Sequence, residues 1–395
     1  MTRRVPRWRE LRPLLQPRGL ELDPVKRAHT LGDLRHAARK RVPRAVFDYV
    51  EGGADDEISL RRNRSAFERV EFSPRVLVGG EVDTGTTILG EPASMPLVLG
   101  PTGYTRMMHH TGEPAVARAA TEAGIPYALS TMGTTAPEDL HGNNLWFQLY
   151  VWRDRGLTKD LINRAQAAGF KALVLTVDTP VSGNRVRDVR NGLTVPPRLS
   201  LRTFLDGATK PRWWWDLFTT EPLRFAALDG DGTDSPADVS ARLFDHNITW
   251  TDLAWLRENW SGPLVIKGIQ RLEDARRAAE LQADAVLLSN HGGRQLDRGP
   301  APLELMPAVA DAVGDKVEVF VDGGIRTGGD IAAAVGLGAK ACLIGRPYLY
   351  GLMAGGGPGV AKVISILHEE LARTMRLVGA NTIADLDRSL VSIRE

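Results

Sequence analysis

Cysteine is nearly missing from this chain: its 395 residues include one, Cys342. No disulfide can form within the chain, and the thiol lies in the apolar run Ala341 to Ile344, where a buried structural cysteine is expected. Charge of one sign is also lacking. A net charge of +2 gives no electrostatic case for a nucleic-acid partner. No run reaches the roughly 18 apolar residues that a membrane-crossing helix needs. The opening stretch, Met1 to Thr30, lacks the uninterrupted apolar segment of a secretory signal. It is basic and Pro-punctuated, and is expected to form a solvated arm (residues 1–30) before a single domain (residues 31–395). No GxGxxG-then-acid pattern follows the first strand, which argues against a dinucleotide-binding unit. No metal site is expected.

What the chain does have is a balance of 43% hydrophobic and 25% charged residues, ample for a globular core. Eight short apolar runs recur: Met95–Gly100, Pro126–Leu129, Leu145–Val151, Ala172–Val177, Pro263–Ile266, Ala285–Leu288, Glu318–Val321 and Ala341–Ile344. Segments of helical period separate them, among them Glu113–Ala123, Gly156–Ala168, Leu272–Leu281, Pro302–Val313 and Gly328–Leu337. Strand and helix in alternation imply parallel pairing, and eight units predict an α/β fold of the closed (β/α)₈ barrel type. Every run ends in polar or glycine-rich chemistry. In order these ends are Pro101-Thr102-Gly103, Ser130, Gln148 with Tyr150, Thr176 with Asp178, Lys267, Ser289 with His291, Asp322-Gly323-Gly324 and Gly345-Arg346. Barrel active sites are assembled at that face, so a convergent site is predicted there.

Four of these ends carry more. His291, a base near neutral pH, stands three residues before Arg294, which can hold a carboxylate bidentately. That pairing suggests proton abstraction from a small acid. The glycines after the seventh and eighth runs suit close approach of a phosphate, or else tight strand-to-helix packing. Lys267 at a strand end is also compatible with a Schiff-base lyase.

More than eighty residues separate the fourth and fifth runs, and a lid insertion is expected over about residues 181–248. Thr249 to Trp260 reads as the helix leading into the fifth strand. Within the insertion, Arg212-Trp213-Trp214-Trp215-Asp216-Leu217-Phe218 is an aromatic patch beside positive charge. Two readings stand: a plug against the barrel or another subunit, and an interfacial membrane foot. Asp229 to Asp238 reads as mobile.

Ser289-Asn290-His291-Gly292-Gly293-Arg294-Gln295 resembles the signature of the FMN-dependent L-2-hydroxy-acid oxidases and dehydrogenases. The resemblance runs from about Leu31 to Arg388. It includes Pro43 to Tyr49 with Gly52-Gly53-Ala54, Pro101-Thr102-Gly103, Gln148-Leu149-Tyr150, Thr176 to Pro180, Lys267-Gly268, Asp322 to Arg326 and Gly345-Arg346-Pro347. The L-lactate dehydrogenase branch looks nearest, through Val186 to Gly192 and the Trp-rich lid. The resemblance implies His291 as base, oriented by Asp178, with Tyr150 on the α-oxygen. It implies Arg185, Arg294 and Tyr49 as the carboxylate grip. Lys267 is implied beside the electron-rich edge of FMN. Pro101, Thr102, Gly103, Ser130, Gln148, Thr176 and Ser289 would contact the ring or ribityl chain, and Asp322, Gly323, Gly324, Arg326, Gly345 and Arg346 its polar tail. The implied reaction is oxidation of an L-2-hydroxy acid, such as L-lactate, to the 2-oxo acid. With no preceding haem domain expected, electrons would pass to a quinone or another carrier, or to oxygen in a hydrogen-peroxide-forming oxidase. Met132 stands where glycolate oxidases carry a bulky Trp, and Gly103 where several oxidases have Ala. A homotetramer is expected, cytoplasmic, with peripheral contact at the inner face of the membrane through the lid.

Overall fold

A computed structural model describes residues 7–11, 21–192, 206–226 and 244–394. Eight parallel strands close into a barrel in chain order. They are β1 (Leu97–Leu99), β2 (Tyr127–Ser130), β3 (Leu145–Leu149), β4 (Ala172–Thr176), β5 (Leu264–Ile269), β6 (Ala285–Leu288), β7 (Glu318–Asp322) and β8 (Ala341–Ile344). Their cores are buried on both faces, which explains why they read as continuous apolar runs rather than alternating ones. Alternate residues from all eight (Val98, Ala128, Trp146, Val174, Val265, Leu287, Phe320 and Leu343 among them) form one inner cluster. Trp146 and Phe320 stack across it at 5.9 Å. The hairpin Thr86–Ile88 with Glu91–Ala93 adds Ile88 and Ala93 to that cluster and so closes the N-terminal end. The barrel is a packed core, which leaves the C-terminal mouth for chemistry.

The expected crossover helices are present as Gly112–Glu122, Arg155–Ala167, Leu272–Glu280, Pro302–Val313 and Gly328–Gly336. The helix before β5 is shorter than expected, Asp252–Asn259. A long helix, Arg346–Val378, follows β8 and breaks at Gly355 and Gly356, whose φ/ψ are non-helical. Cys342 is buried, and that burial pushes its thiol pKa well up. No described helix is long and apolar enough to cross a membrane.

One domain boundary differs from the sequence reading. The packed chain begins before Leu31: Val25 and Ala28 are buried in the main core, because Val25 fills the space beside Gly355 at the helix break. The described part of the insertion carries two short helices, Val186–Asn191 and Pro211–Thr219. Asp229 to Asp238 lies outside the described residues, as does most of the arm before residue 21.

Candidate active site

The mouth of the barrel holds a cavity of about 670 Å³, within the range usual for small-molecule sites. Among the predicted residues, Tyr49, Pro101, Thr102, Gly103, Ser130, Gln148, Tyr150, Thr176, Arg185, Lys267, His291, Arg294, Asp322, Gly323, Gly324, Arg326, Gly345 and Arg346 all line it. Asp178 and Ser289 stand behind its wall.

His291 opens a turn just past β6 with φ 57°, a left-handed conformation disfavoured for a non-glycine residue. The turn is braced from below. Asn290 exchanges two amide hydrogen bonds with Asn63, at 2.8 and 2.7 Å, and its side-chain oxygen accepts from Gly293 N. Held this way, His291 places Nδ1 3.0 Å from Asp178 Oδ1. Burial lowers the imidazole pKa below its ordinary value, and the Asp178 charge offsets this only in part. Burial alone would raise the Asp178 carboxyl, but its interactions with His291 and the charge of Lys267 outweigh it and hold the group below the usual carboxylate range. The pair at rest is therefore a neutral imidazole on an ionised acid.

Lys267 is reached through a β-bulge. Lys267 and Ile269 pair with the adjacent residues Leu287 and Leu288, leaving Gly268 out of register. Such bulges re-aim side chains beside active sites. The ammonium donates to Ser289 Oγ at 3.0 Å and lies 3.6 Å from Asp322 Oδ2. Ser289, expected to touch a cofactor, instead spends its hydroxyl as a hub. It donates to Asp322 Oδ2 at 2.8 Å and accepts from both Lys267 Nζ and His291 N. One donor and two acceptor positions are thereby engaged by protein groups.

Three cations crowd the other side. Arg185 and Arg294 bracket the Tyr49 ring, with Cζ 5.2 and 5.1 Å from its centroid. Arg294 donates to the carbonyls of Tyr49 (2.6 Å) and Gly52 (3.2 Å). Arg346 donates to those of Val50, Gly52 and Gly292. The two thus satisfy the orphan carbonyls ending the helix Arg44–Glu51, where cations also suit the helix dipole. Burial, helped by repulsion from Arg185, lowers the Arg294 pKa, and burial with repulsion from Arg294 brings Arg346 down to about 9. Both stay charged at neutral pH, and their mutual repulsion is relieved by an anion.

The wall also holds buried polar atoms without a protein partner: Gln148 Nε2, Thr176 Oγ1 and Asp322 Oδ1. Buried polar groups are rarely left unpaired, so a polar ligand with donors and acceptors along its length fits here. Asp322 Oδ1 suits hydroxyls, Gln148 and Thr176 suit a polar ring edge, and Arg326 and Arg346 suit a phosphate. The residues present therefore fit FMN. Gly324 serves packing as well: at φ 93°, its Cβ would stand 2.2 Å from the Asn63 carbonyl of the helix Ile58–Glu68.

Sequence reasoning missed Asn63, Phe225 and Phe244, which also line the cavity. Phe244 stacks on Tyr150 at 4.5 Å and Phe225 lies against Tyr104 at 4.7 Å. Both phenylalanines come from the insertion, and no local signal marks them.

Comparison with known proteins agrees with this geometry. A Mycobacterium tuberculosis protein provisionally named an L-lactate dehydrogenase is 51% identical, covering 98% of this chain and 95% of its own. The L-lactate oxidase of a Nostoc strain is 42% identical over 92% of this chain and 98% of its own. The solved structure of the monotopic membrane protein (S)-mandelate dehydrogenase superposes with a TM-score of 0.89 at 38% identity, covering 93% of this chain and all of that one. The family model for FMN-dependent dehydrogenases matches residues 38–393, and the chain belongs to that family.

Proposed function

We propose that this flavoenzyme oxidises L-lactate, or an L-2-hydroxy acid with a somewhat larger side chain, and passes the electrons to a quinone. The observation that carries this reading is the facing of the His291–Asp178 pair and the Arg185–Arg294 bracket across one cavity.

FMN, when bound, would supply the two-electron oxidation. Pro101, Thr102, Gly103, Ser130, Gln148 and Thr176 would hold its ring, with the positive charge of Lys267 nearby. Asp322, Gly323, Gly324, Arg326, Gly345 and Arg346 would hold its polar tail. Arg185 and Arg294, with the Tyr49 hydroxyl, bind the substrate carboxylate and fix its orientation. Tyr150 hydrogen-bonds the α-oxygen; burial, together with the nearby Asp178 charge, raises its phenol pKa and keeps it a donor. His291, neutral and with Nδ1 held by Asp178, receives the substrate proton on Nε2. Asp178 fixes the tautomer and stabilises the imidazolium. The ammonium of Lys267, engaged by Ser289 and Asp322, is poorly placed for Schiff-base chemistry.

The acceptor is read from the insertion. On the helix Pro211–Thr219, Trp213 is 9% exposed and donates to the Met107 carbonyl, whereas Trp215 and Phe218 are 71% and 73% exposed. One face docks the helix, and the other offers aromatic side chains beside Arg212 and Lys210, which suits a membrane surface where quinone resides. A cytoplasmic enzyme resting on the inner face of the membrane follows. Exposed Val76 and Leu77 form an apolar edge that suits assembly, for which a homotetramer is the expected state.

Anaerobic L-lactate should bleach the flavin spectrum, and a quinone analogue should restore it faster than oxygen. The Nostoc relative favours a second reading, a soluble oxidase. Peroxide formed in step with substrate and unaffected by added quinone would establish that reading and remove the first.

A further inference from the structure

Beneath the same aromatic helix, three ligand-bearing side chains from distant stretches meet. His109 and His110 follow the short helix Thr105–Met108 on the barrel, and Asp216 lies within Pro211–Thr219. One nitrogen from each imidazole and one carboxylate oxygen lie within 4.8 Å of one another. His110 Nδ1 is 3.2 Å from Asp216 Oδ2. That is close to the separation of two ligands each about 2.0–2.2 Å from a tetrahedral ion. Despite this distance the geometry of a hydrogen bond is not met, and His110 Nδ1 is buried with no hydrogen-bond partner. An ion between the two lone pairs satisfies both, because it needs no N–H aimed along the contact. His109 is held in place by an Nδ1 contact of 2.9 Å with the Thr111 hydroxyl, the kind of outer bond that orients ligand imidazoles. The two rings stack at 4.5 Å. All three residues border a small space of about 20 Å³, roughly the room one water or one ion occupies.

Arg41 and Arg106 border that space as well, and their charge opposes any cation. Both guanidiniums are committed elsewhere, Arg41 to the Ala354 carbonyl (3.4 Å) and Arg106 to that of Glu221 (2.7 Å). Their repulsion disfavours ions held by charge alone, such as Mg²⁺ or Ca²⁺, which also prefer all-oxygen shells. Two imidazoles and one carboxylate suit Zn²⁺ or Co²⁺.

We propose that His109, His110 and Asp216 form a transition-metal site that clamps the helix Pro211–Thr219 onto the barrel. The site is independent of the reaction read at the barrel mouth. The test uses purified FMN-loaded enzyme stripped with a chelator, then titrated with Zn²⁺ by calorimetry and, in parallel, with Co²⁺ by visible absorption. One ion per chain is expected, with the absorption bands of four-coordinate Co²⁺. His110→Ala and Asp216→Asn should each weaken binding at least tenfold and abolish those bands, while His141→Ala, at an exposed histidine away from the cluster, should change neither. Zn²⁺ should also slow hydrogen exchange in residues 211–219 of the unaltered enzyme. Flavin absorbance per chain checks that the variants are folded; if His110→Ala misfolds, the isosteric Asp216→Asn carries the comparison. The absence of stoichiometric binding, or binding that survives in Asp216→Asn, overturns the proposal.

Discussion

Asp178 reaches His291 Nδ1 at 3.0 Å because residue 268 has no side chain: a Cβ on Gly268 would stand 2.7 Å from Asp178 Cβ. Gly268 also has φ 109°, which L side chains rarely adopt. Gly268→Ala should therefore misplace the carboxylate and cut kcat with both His291 and Asp178 intact. A loss of roughly 10²-fold is expected, by analogy with small misplacements of catalytic groups. Steady-state kinetics on flavin-loaded protein checks this; wild-type turnover in Gly268→Ala would show that the pair needs no such support.

Direct removal of the proposed base, His291, should cost more. His291→Gln should keep its flavin and lose roughly 10²–10⁴-fold in turnover, the usual share of a general base. Asp178→Asn should lose a comparable amount, because an amide stabilises neither the required tautomer nor the imidazolium. Rapid-mixing reduction of the flavin by L-lactate separates these losses from slow product release.

The pH profile follows from the direction of the His291 shift. The base must be neutral in the free enzyme, so activity falls as pH drops through its pKa. Burial puts that value below the ordinary histidine value, and the acid limb of kcat/KM should lie correspondingly low. The Asp178 charge works the other way, raising the pKa. Removing it in Asp178→Asn should move the remaining acid limb to lower pH still. A limb that moves upward would mean that another group titrates there.

Arg294→Lys should weaken binding of the acid and disturb the protein around it. An ammonium cannot reproduce the fork that bonds the Tyr49 and Gly52 carbonyls while leaving donors for a carboxylate. A fall of roughly 10²-fold in kcat/KM is expected, as for loss of a buried charged hydrogen-bonding partner. Arg185→Lys should show a smaller effect, since Arg185 interacts with Asp188 and the Tyr49 ring and not with the carbonyls that end the helix Arg44–Glu51. Comparing KM for L-lactate in the two variants decides the order.

Much of this site was legible because barrel strands have a plain signature. The runs at β6 and β8 match the structure residue for residue, and each polar end falls at the mouth, since burial on both faces forces the apolar run to stop there. Elements with mixed composition were not legible. Ile58–Glu68 buries Ser59, Asn63, Ala66 and Phe67, too polar a stripe to show a helical period, yet its Asn63 braces the His291 turn. Arg346–Val378 is hidden by its glycines and Pro358 near the break. Ser289 could be named but not oriented, because whether a strand-end hydroxyl faces the cavity or its neighbours depends on the register with β5 and β7. Phe225 and Phe244 reach the cavity only through the folding of the insertion.

Gly103 tests how tightly that cavity is built. A Cβ there would stand 3.0 Å from Met132 Cβ and 3.2 Å from the Met132 carbonyl. Such overpacking costs about 1–3 kcal/mol unless a neighbour gives way. Both atoms belong to the fixed root of Met132, so its backbone must shift by a few tenths of an ångström, and Met132 lines the same cavity. Gly103→Ala should thus narrow the space for the substrate side chain while leaving the carboxylate grip and the base untouched. Its kcat/KM should fall more for mandelate than for L-lactate, by about tenfold or less for the smaller acid. Adding Met132→Ala leaves the clashing Cβ and carbonyl in place but removes the thioether from the cavity lining, and should restore the larger acid through the space this opens. Equal losses for both acids, unrelieved by the second substitution, would place the effect on the flavin and not on the substrate pocket.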